Sequence, residues 1–179
     1  MSDLDIETKL KLYSLVVSRY KDIISEKEQK SITEMRSRIE PYSDFVKSLR
    51  QTIAGGIDYD TDFMSAVQKF AAYIRKIKNF EFLFNFSMDF KEIEKLSAAP
   101  IMDKALLLAS LLRSIEAKNT RIYVTDSGRI YVGFDYNNER HLMVPETGSI
   151  LVGDDVSNLF EKDPLEYSFN DQVYENYEE

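Results

Sequence analysis

A long apolar run near the middle of the chain limits the possible folds most strongly. Residues 104–115, KALLLASLLRSI, are apolar on nearly every side of a helix, so other elements must cover that helix all round. Because Pro100 suits a first helical position, we predict this helix over residues 100–116. The apolar spacing then changes from a helical to an alternating period, which is typical of β-strands.

The segments after the buried helix predict an antiparallel meander. TRIYVTD, RIYVGFDY and RHLMVPE alternate in polarity, with turns at Ser127 and Gly128 and at Asn137 and Asn138. SILVGDD is a candidate fourth strand, and the acidic, tyrosine-rich tail after it is expected to fray at its last residues. Helices followed by a strand meander predict an α+β fold.

Two narrow apolar stripes organise the first third of the chain. They are formed by Ile6, Leu10, Tyr13, Val17, Tyr20 and Ile24 and by Ile32, Met35, Ile39, Tyr42, Val46, Leu49 and Ile53. Their spacing predicts an N-terminal helical hairpin over residues 1–54. Ser31 and Glu34 fit a capping box for the second helix, and Pro41 should kink or restart it. The stripes either pack on the rest of the domain or form a coiled coil with a partner or a second copy.

The glycine-rich stretch AGGIDYDTD at residues 54–62 predicts a boundary. We therefore expect an α+β core over residues 55–179, ending in the acidic tail. A third helix is predicted from apolar residues at helical spacing, Phe63, Val67, Phe70, Ile74 and Ile77. Its cap should be Asp60 or Thr61, and Asp89 with Glu92 predicts a short capped helix ending near Leu96.

Composition excludes several classes of function. The chain has no cysteine, which excludes disulfides, thiolate metal sites and cysteine nucleophiles. A net charge of −8 opposes nucleic-acid binding, and the one basic candidate, Arg75, Lys76 and Lys78, is short. No apolar run reaches the roughly 20 residues of a membrane span, and the acidic start MSDLDIETK is unlike a signal peptide. We therefore expect a soluble, cytoplasmic protein.

The polar residues suggest no strong catalytic or metal site. His141 is the single histidine, and we interpret it as a surface or edge-strand residue. Asp135, Asn137, Glu139 and Glu146 mimic a calcium loop, but Arg140 stands where that loop needs glycine, and an Asn-Asn hairpin explains the same residues.

Two carboxylate pairs are further candidates. Asp154 and Asp155 form a GDD turn, and no spacing brings Asp103 to Glu146 as a glycosidase-like pair would require. No glycine-rich phosphate loop occurs in the sequence. We therefore expect neither a metal nor a cofactor.

The span from about Phe63 to Thr147 resembles the transglutaminase-like superfamily, in particular predicted cysteine-peptidase-like members common in archaea. In that family a buried helix opens with G-D-C-x-D-K-A and a Leu/Ala/Ser-rich run, and strands carrying a histidine and then an aspartate follow. MDKALLLASLLRS at residues 102–114 matches the second half of this motif, and SFND at residues 168–171 adds to the resemblance. The resemblance implies a transglutaminase-like (papain-like) core in which the central helix packs on the meander.

The family's catalytic positions are changed in this chain. Counted back from Asp103, the cysteine position falls on Ile101, and the preceding Gly-Asp falls on Ala99 and Pro100. The histidine position falls on Arg129 or Ile130, and the aspartate position on Pro145 or Glu146. Without sulfur, a covalent thiol step is impossible.

The resemblance therefore implies a catalytically inactive protein that binds or scaffolds. Its contact surface would be the inherited cleft or the hairpin stripe, and its partner is expected to be a protein or, through the N-terminal helices, a second copy. The alternative is a hydrolase with a non-thiol mechanism, assisted by carboxylates or a metal.

Overall fold

The computed structural model describes residues 31–59, 61–80 and 87–177, together with the single positions 10, 14, 17 and 21. The helices in these ranges are α1 (Ile32–Ser37), α2 (Asp44–Ala54), α3 (Phe63–Lys76), α4 (Phe90–Leu96), α5 (Ile101–Ser114) and α6 (Asp154–Lys162). The strands are β1 (Lys78–Asn79), β2 (Ala98–Ala99), β3 (Lys118–Thr125), β4 (Ile130–Tyr136), β5 (Glu139–Val144), β6 (Ser149–Val152), β7 (Leu165–Phe169) and β8 (Tyr174–Asn176). In the described part of the chain, every helix is too short or too polar to cross a bilayer.

An antiparallel six-stranded sheet forms the centre of the fold. Its strand order is β6-β5-β4-β3-β7-β8, while β1 and β2 form a separate parallel pair. The predicted α+β class, the meander β3–β5 and the fourth strand β6 are confirmed. Asn137 and Asn138 form the β4–β5 turn with φ of 51° and 63°, a conformation that asparagine tolerates better than most residues.

The central helix α5 is buried along almost its whole length. It packs against β3 and β4 of the sheet and against α2 and α3. Leu106, Leu107, Leu108, Leu111 and Leu112 are fully buried, as the apolar run predicted. Pro100 is the N-cap residue, so the helix begins one position later than predicted, at Ile101.

The second predicted stripe belongs to this same core. Pro41 separates α1 from α2, and α2 restarts with Ser43 as its N-cap. Met35, Val46 and Leu49 are buried in the same apolar cluster as α5, so these side chains are not available to a coiled-coil partner. The predicted division of the chain at residue 54 stays a prediction, although one apolar core includes residues on both sides of it.

The first predicted helix lies almost entirely outside the described residues. Leu10 and Val17 are described as helical, and their side chains are 65% and 45% exposed. Dimerisation through this helix therefore stays a prediction.

Several local signals are confirmed and one cap is not. The capping box of Ser31 and Glu34 opens α1, and the backbone N–H of Asp89 donates to Glu92 at 2.7 Å at the start of α4. The N-cap of α3 is Asp62, rather than Asp60 or Thr61. Asp60 itself lies outside the described residues.

The acidic tail contains three elements that the alternating pattern did not reveal. Helix α6 covers the second face of the sheet through an apolar cluster that includes Tyr123, Tyr131, Leu142 and Val156. Strand β7 pairs with β3, and β8 extends that edge. The tail therefore adds two strands to the sheet. The predicted fraying of the last residues stays a prediction, since residues 178–179 lie outside the described ranges.

Replacing Gly148 with alanine is expected to lower the free energy of unfolding by about 2–3 kcal/mol. Gly148 has φ of 68°, and a Cβ there would lie 2.5 Å from the backbone oxygen of Ala71 in α3. Gly128 is a matched control, because its φ is 77° and an added Cβ would meet nothing within 4 Å. Gly128→Ala should cost only about 1 kcal/mol. Urea denaturation measures both losses, and equal losses would contradict the close approach of this turn to α3.

Candidate functional site

The two ends of α5 lie at opposite ends of the sheet. Near its amino end, Lys104 Nζ lies 3.4 Å from the backbone oxygen of Glu146, just after β5. Near its carboxyl end, Ser114 lines the same cavity as Asn137 of the β4–β5 turn. The resemblance places the catalytic residues at the amino end, whereas the cavity lies at the carboxyl end.

The positions expected for a catalytic triad gather at the amino end of α5. Ile130 starts β4 and Pro145 follows β5, and the pairing of these strands at Val132 and Met143 brings the two positions to the same end of the sheet. Arg129 and Glu146 are exposed, Ile101 and Ile130 are half-buried, and Pro145 is buried. Lys104, one helical turn beyond Ile101, joins the helix to the segment after β5. The side chains at these positions are hydrocarbon or solvent-exposed charge.

Asp103 is committed to a buried ion pair. Its side chain is 3% exposed, and Oδ1 lies 2.6 Å from Arg38 Nη1. Oδ2 accepts a hydrogen bond from the backbone N–H of Met88 at 2.8 Å. Arg38 also donates to the backbone oxygen of Met88. This carboxylate therefore ties the segment after α1 and the segment before α4 to the central helix, while Glu146 contributes its backbone to Lys104.

Lys104 is fully buried, and its ammonium group has three acceptors. Nζ donates to Asn79 Oδ1 at 2.7 Å, to the backbone oxygen of Ile77 at 3.0 Å and to that of Glu146 at 3.4 Å. Burial lowers the pKa of Lys104 from 10.5 to about 8, and the Glu146 carboxylate opposes that shift. The group connects β1, α5 and the β5–β6 turn, and no side of it is exposed for chemistry.

His141 is not the surface or edge-strand residue that its sequence context suggested. It lies on β5, between β4 and β6, and is 6% exposed. Its ring stacks on Phe134 with centroids 5.1 Å apart and meets the edge of Tyr136 at 6.1 Å. The expectation failed because β6 covers the outer edge of β5 and the imidazole occupies the aromatic core. Its Nδ1 lies 3.2 Å from the backbone oxygen of Glu139.

The calcium-like residues have separate structural roles. Asp135 accepts hydrogen bonds from Arg140 and Asn119, each at 2.6 Å. Partial burial opposes the effect, but these hydrogen bonds hold the pKa of Asp135 below its ordinary value. Glu146 lies at the far end of β5 from Asp135. Among the described residues, no three histidine, aspartate or glutamate side chains are placed to hold a metal ion.

A cavity of about 1310 Å³ lies at the carboxyl end of α5. Its lining comes from α2, the segment before α3, the end of α5, the start of β3 and the β4–β5 hairpin. The lining residues that carry charge are Arg50, Asp58, Glu116, Lys118, Asp135 and Arg140. Aromatic side chains of Tyr59, Phe63 and Tyr136 complete it, and Phe63 and Tyr136 stack with centroids 5.0 Å apart.

Sequence reasoning missed this cavity, because its lining residues come from separate segments of the chain. In the sequence, Asn137 and Asn138 indicate a hairpin, and Arg140 argues against a calcium loop. Arg50 had no distinguishing local signal, since it lies between two positions of an apolar helical stripe.

Arg50 is the unusual group in the cavity. Its Nη1 donates to the backbone oxygen of Ser114 at 2.6 Å, and its guanidinium lies 5.8 Å from the centre of the Tyr59 ring. Within the described ranges, Nε is buried and has no hydrogen-bond partner. A buried N–H without an acceptor is uncommon in folded proteins, and its cost falls when a ligand or water supplies one.

Comparisons of the chain with protein-family models, with curated proteins and with solved structures find no match. The resemblance to transglutaminase-like proteins therefore stays a prediction from the motif residues.

Proposed function

We propose that this protein is a catalytically inactive member of the transglutaminase-like superfamily that acts as a binding module for another protein. The proposal rests on the side chains at the amino end of α5, which offer no activated nucleophile. Ile101 stands where a nucleophile is expected, and the adjacent Asp103 and Lys104 are engaged in buried hydrogen bonds.

The order of elements supports the transglutaminase-like part of the proposal. A buried helix precedes an antiparallel meander, and the expected histidine and aspartate positions fall at the end of the sheet that faces the start of this helix. Activation of a nucleophile there would require an imidazole and an ionisable partner close together. No imidazole stands at any of these positions, because Ile101, Ile130 and Pro145 are hydrocarbon. The charged alternatives Arg129 and Glu146 are exposed.

The cavity at the other end of α5 supports the binding part of the proposal. Its volume of about 1310 Å³ exceeds the roughly 300–1,000 Å³ typical of small-molecule sites. Its lining mixes amides, charges of both signs and aromatic rings, a composition suited to a peptide segment. These features favour this end of α5, rather than the inherited cleft, as the binding surface of the proposed module.

Turnover assays test whether the protein is inactive. The wild-type chain, Ile101→Ala and Glu146→Ala are compared on peptide, glutamine-amide and ester substrates, with product formation followed by mass spectrometry. We expect no turnover that depends on either residue, because neither position carries an activated group. Turnover by the wild-type chain that both substitutions abolish would contradict the proposal.

A further inference from the structure

The first apolar stripe of the chain is exposed where the structure describes it. Leu10, Ser14, Val17 and Lys21 are described as helical, and their spacing puts them on one face of a helix. All four are exposed, and the two apolar side chains are 65% and 45% exposed. The second stripe is different, because residues such as Val46 are completely buried in the core. The first stripe is therefore open to a partner.

The sequence of this stripe is complementary to itself. Its apolar residues alternate by four and three positions between Ile6 and Ile24. In an antiparallel pair of such helices, two residues share a layer across the two-fold axis when their numbers have one fixed sum. Only a sum of 30 gives all six apolar residues a partner, pairing Ile6 with Ile24, Leu10 with Tyr20 and Tyr13 with Val17. Each tyrosine then meets a smaller side chain, whereas in a parallel pair it would meet its own copy.

The charged residues beside the stripe favour the same antiparallel register. Glu7 and Lys21 flank the stripe on one side, and in this register Glu7 of each copy faces Lys21 of the other. Asp3 and Lys27 continue the stripe at its two ends, and they would share a layer as opposite charges. A parallel pair would instead place each of these two residues against its own copy, as like charges.

The net charge of the chain does not oppose this contact. Residues 1–30 contain six acidic and six basic residues, so the net charge of −8 belongs to the rest of the chain. The contact surface itself is therefore electrically balanced, and repulsion between two copies acts only over a longer distance, where salt screens it.

We propose that two copies of this chain associate through an antiparallel coiled coil of residues 3–27. Each residue of this interface contacts a different residue of the second copy, and the reverse contact occurs once more, so the assembly closes at two copies. This inference goes beyond the proposed function, which concerns a different protein as the partner.

Sedimentation equilibrium with the full chain tests the inference. We expect a mass that rises from one copy to two copies below about 100 μM protein, because association follows mass action. Val17→Glu should weaken the dimer at least about tenfold, since it puts an unpaired carboxylate from each copy into the apolar layers. Val173→Glu is the matched control, because Val173 is 42% exposed and lies near the other end of the chain. It should leave the dimer unchanged.

An exchange of charges tests the antiparallel register. Glu7→Lys alone or Lys21→Glu alone makes like charges face each other at two places, and each should weaken the dimer about tenfold at low salt. The double variant restores opposite charges, so its affinity should return to within about threefold of the wild-type value. The two residues are 14 positions apart, about 21 Å along one helix, so contact within one copy cannot explain the recovery.

Three outcomes would overturn the inference. They are a single-copy mass of the wild-type chain at every concentration up to about 100 μM, equal effects of Val17→Glu and Val173→Glu on the dimer, and a double variant that associates no better than the single ones. Circular dichroism checks that each variant is folded. None of these outcomes bears on inactivity, which the turnover assays test separately.

Discussion

Replacing Arg38 with alanine is expected to lower the free energy of unfolding by about 3–5 kcal/mol. The substitution leaves the Asp103 carboxylate, whose side chain is 3% exposed, without the cation that lies 2.6 Å from it. It also removes the donor to the backbone oxygen of Met88. Chemical denaturation followed by circular dichroism measures the loss.

Arg113→Ala is the matched control for this ion pair. Arg113 and Asp171 form a bidentate pair whose side chains are 21% and 22% exposed, so water can solvate either partner after the other is removed. We expect a loss of about 1 kcal/mol there. If Arg38→Ala were no more destabilising than Arg113→Ala, the amino end of α5 would not be the buried junction described above.

The stability of the protein is expected to rise by about 2 kcal/mol between pH 8 and pH 10 because of Lys104. Burial lowers the pKa of this lysine from 10.5 to about 8, so within that interval the unfolded chain binds the proton that the folded chain has released. Stability from this group is therefore lowest below pH 8 and increases as the pH rises. Above pH 10 the trend should reverse, because burial raises the pKa of Tyr73 to about 12 and the unfolded chain then loses its proton first.

Lys104→Met isolates this effect. The methionine keeps most of the buried hydrocarbon and does not titrate, so the difference in unfolding free energy between wild type and variant should change by about 2 kcal/mol over the interval. Urea denaturation at half-unit pH steps gives the two curves. Parallel curves would mean that Lys104 reaches solvent in the folded protein.

The central helix and the meander could be predicted because their signals are local. A helix with leucine and alanine on all sides is stable only where other elements bury it completely. Alternating residues such as those of β4 form a strand with one buried face. Pro41 and the Asn137–Asn138 turn act through their own backbone preferences. These elements appear in the structure within one or two residues of their predicted bounds.

The elements of the tail could not be predicted in the same way. Strand β7 is held by pairing with β3, forty or more residues away in the chain. Helix α6 is acidic and depends on a few apolar residues, such as Val156, that contact the second face of the sheet. Their stability comes from non-local contacts, which a local pattern does not contain.

For the candidate site, the sequence predicted only which chemistry is excluded. The lack of cysteine and the residue at position 101 can be read from the sequence, and they exclude thiol chemistry. The acceptors of Lys104 are mostly backbone oxygens, and the special position of Arg50 depends on the end of another helix. Neither can be read from residue types.

The most direct test of a structural, non-catalytic amino end of α5 is the alkylation rate of a cysteine placed at position 101. Because the chain has no cysteine, Ile101→Cys and Lys118→Cys each carry a single thiol, and Lys118 is an exposed residue of the cavity. With iodoacetamide at pH 8, we predict that the half-buried thiol at position 101 reacts no faster than the exposed one at position 118, because no histidine occupies the expected triad positions to deprotonate it. A thiol at position 101 that reacts several-fold faster would reveal an open, activating cleft and would contradict this account.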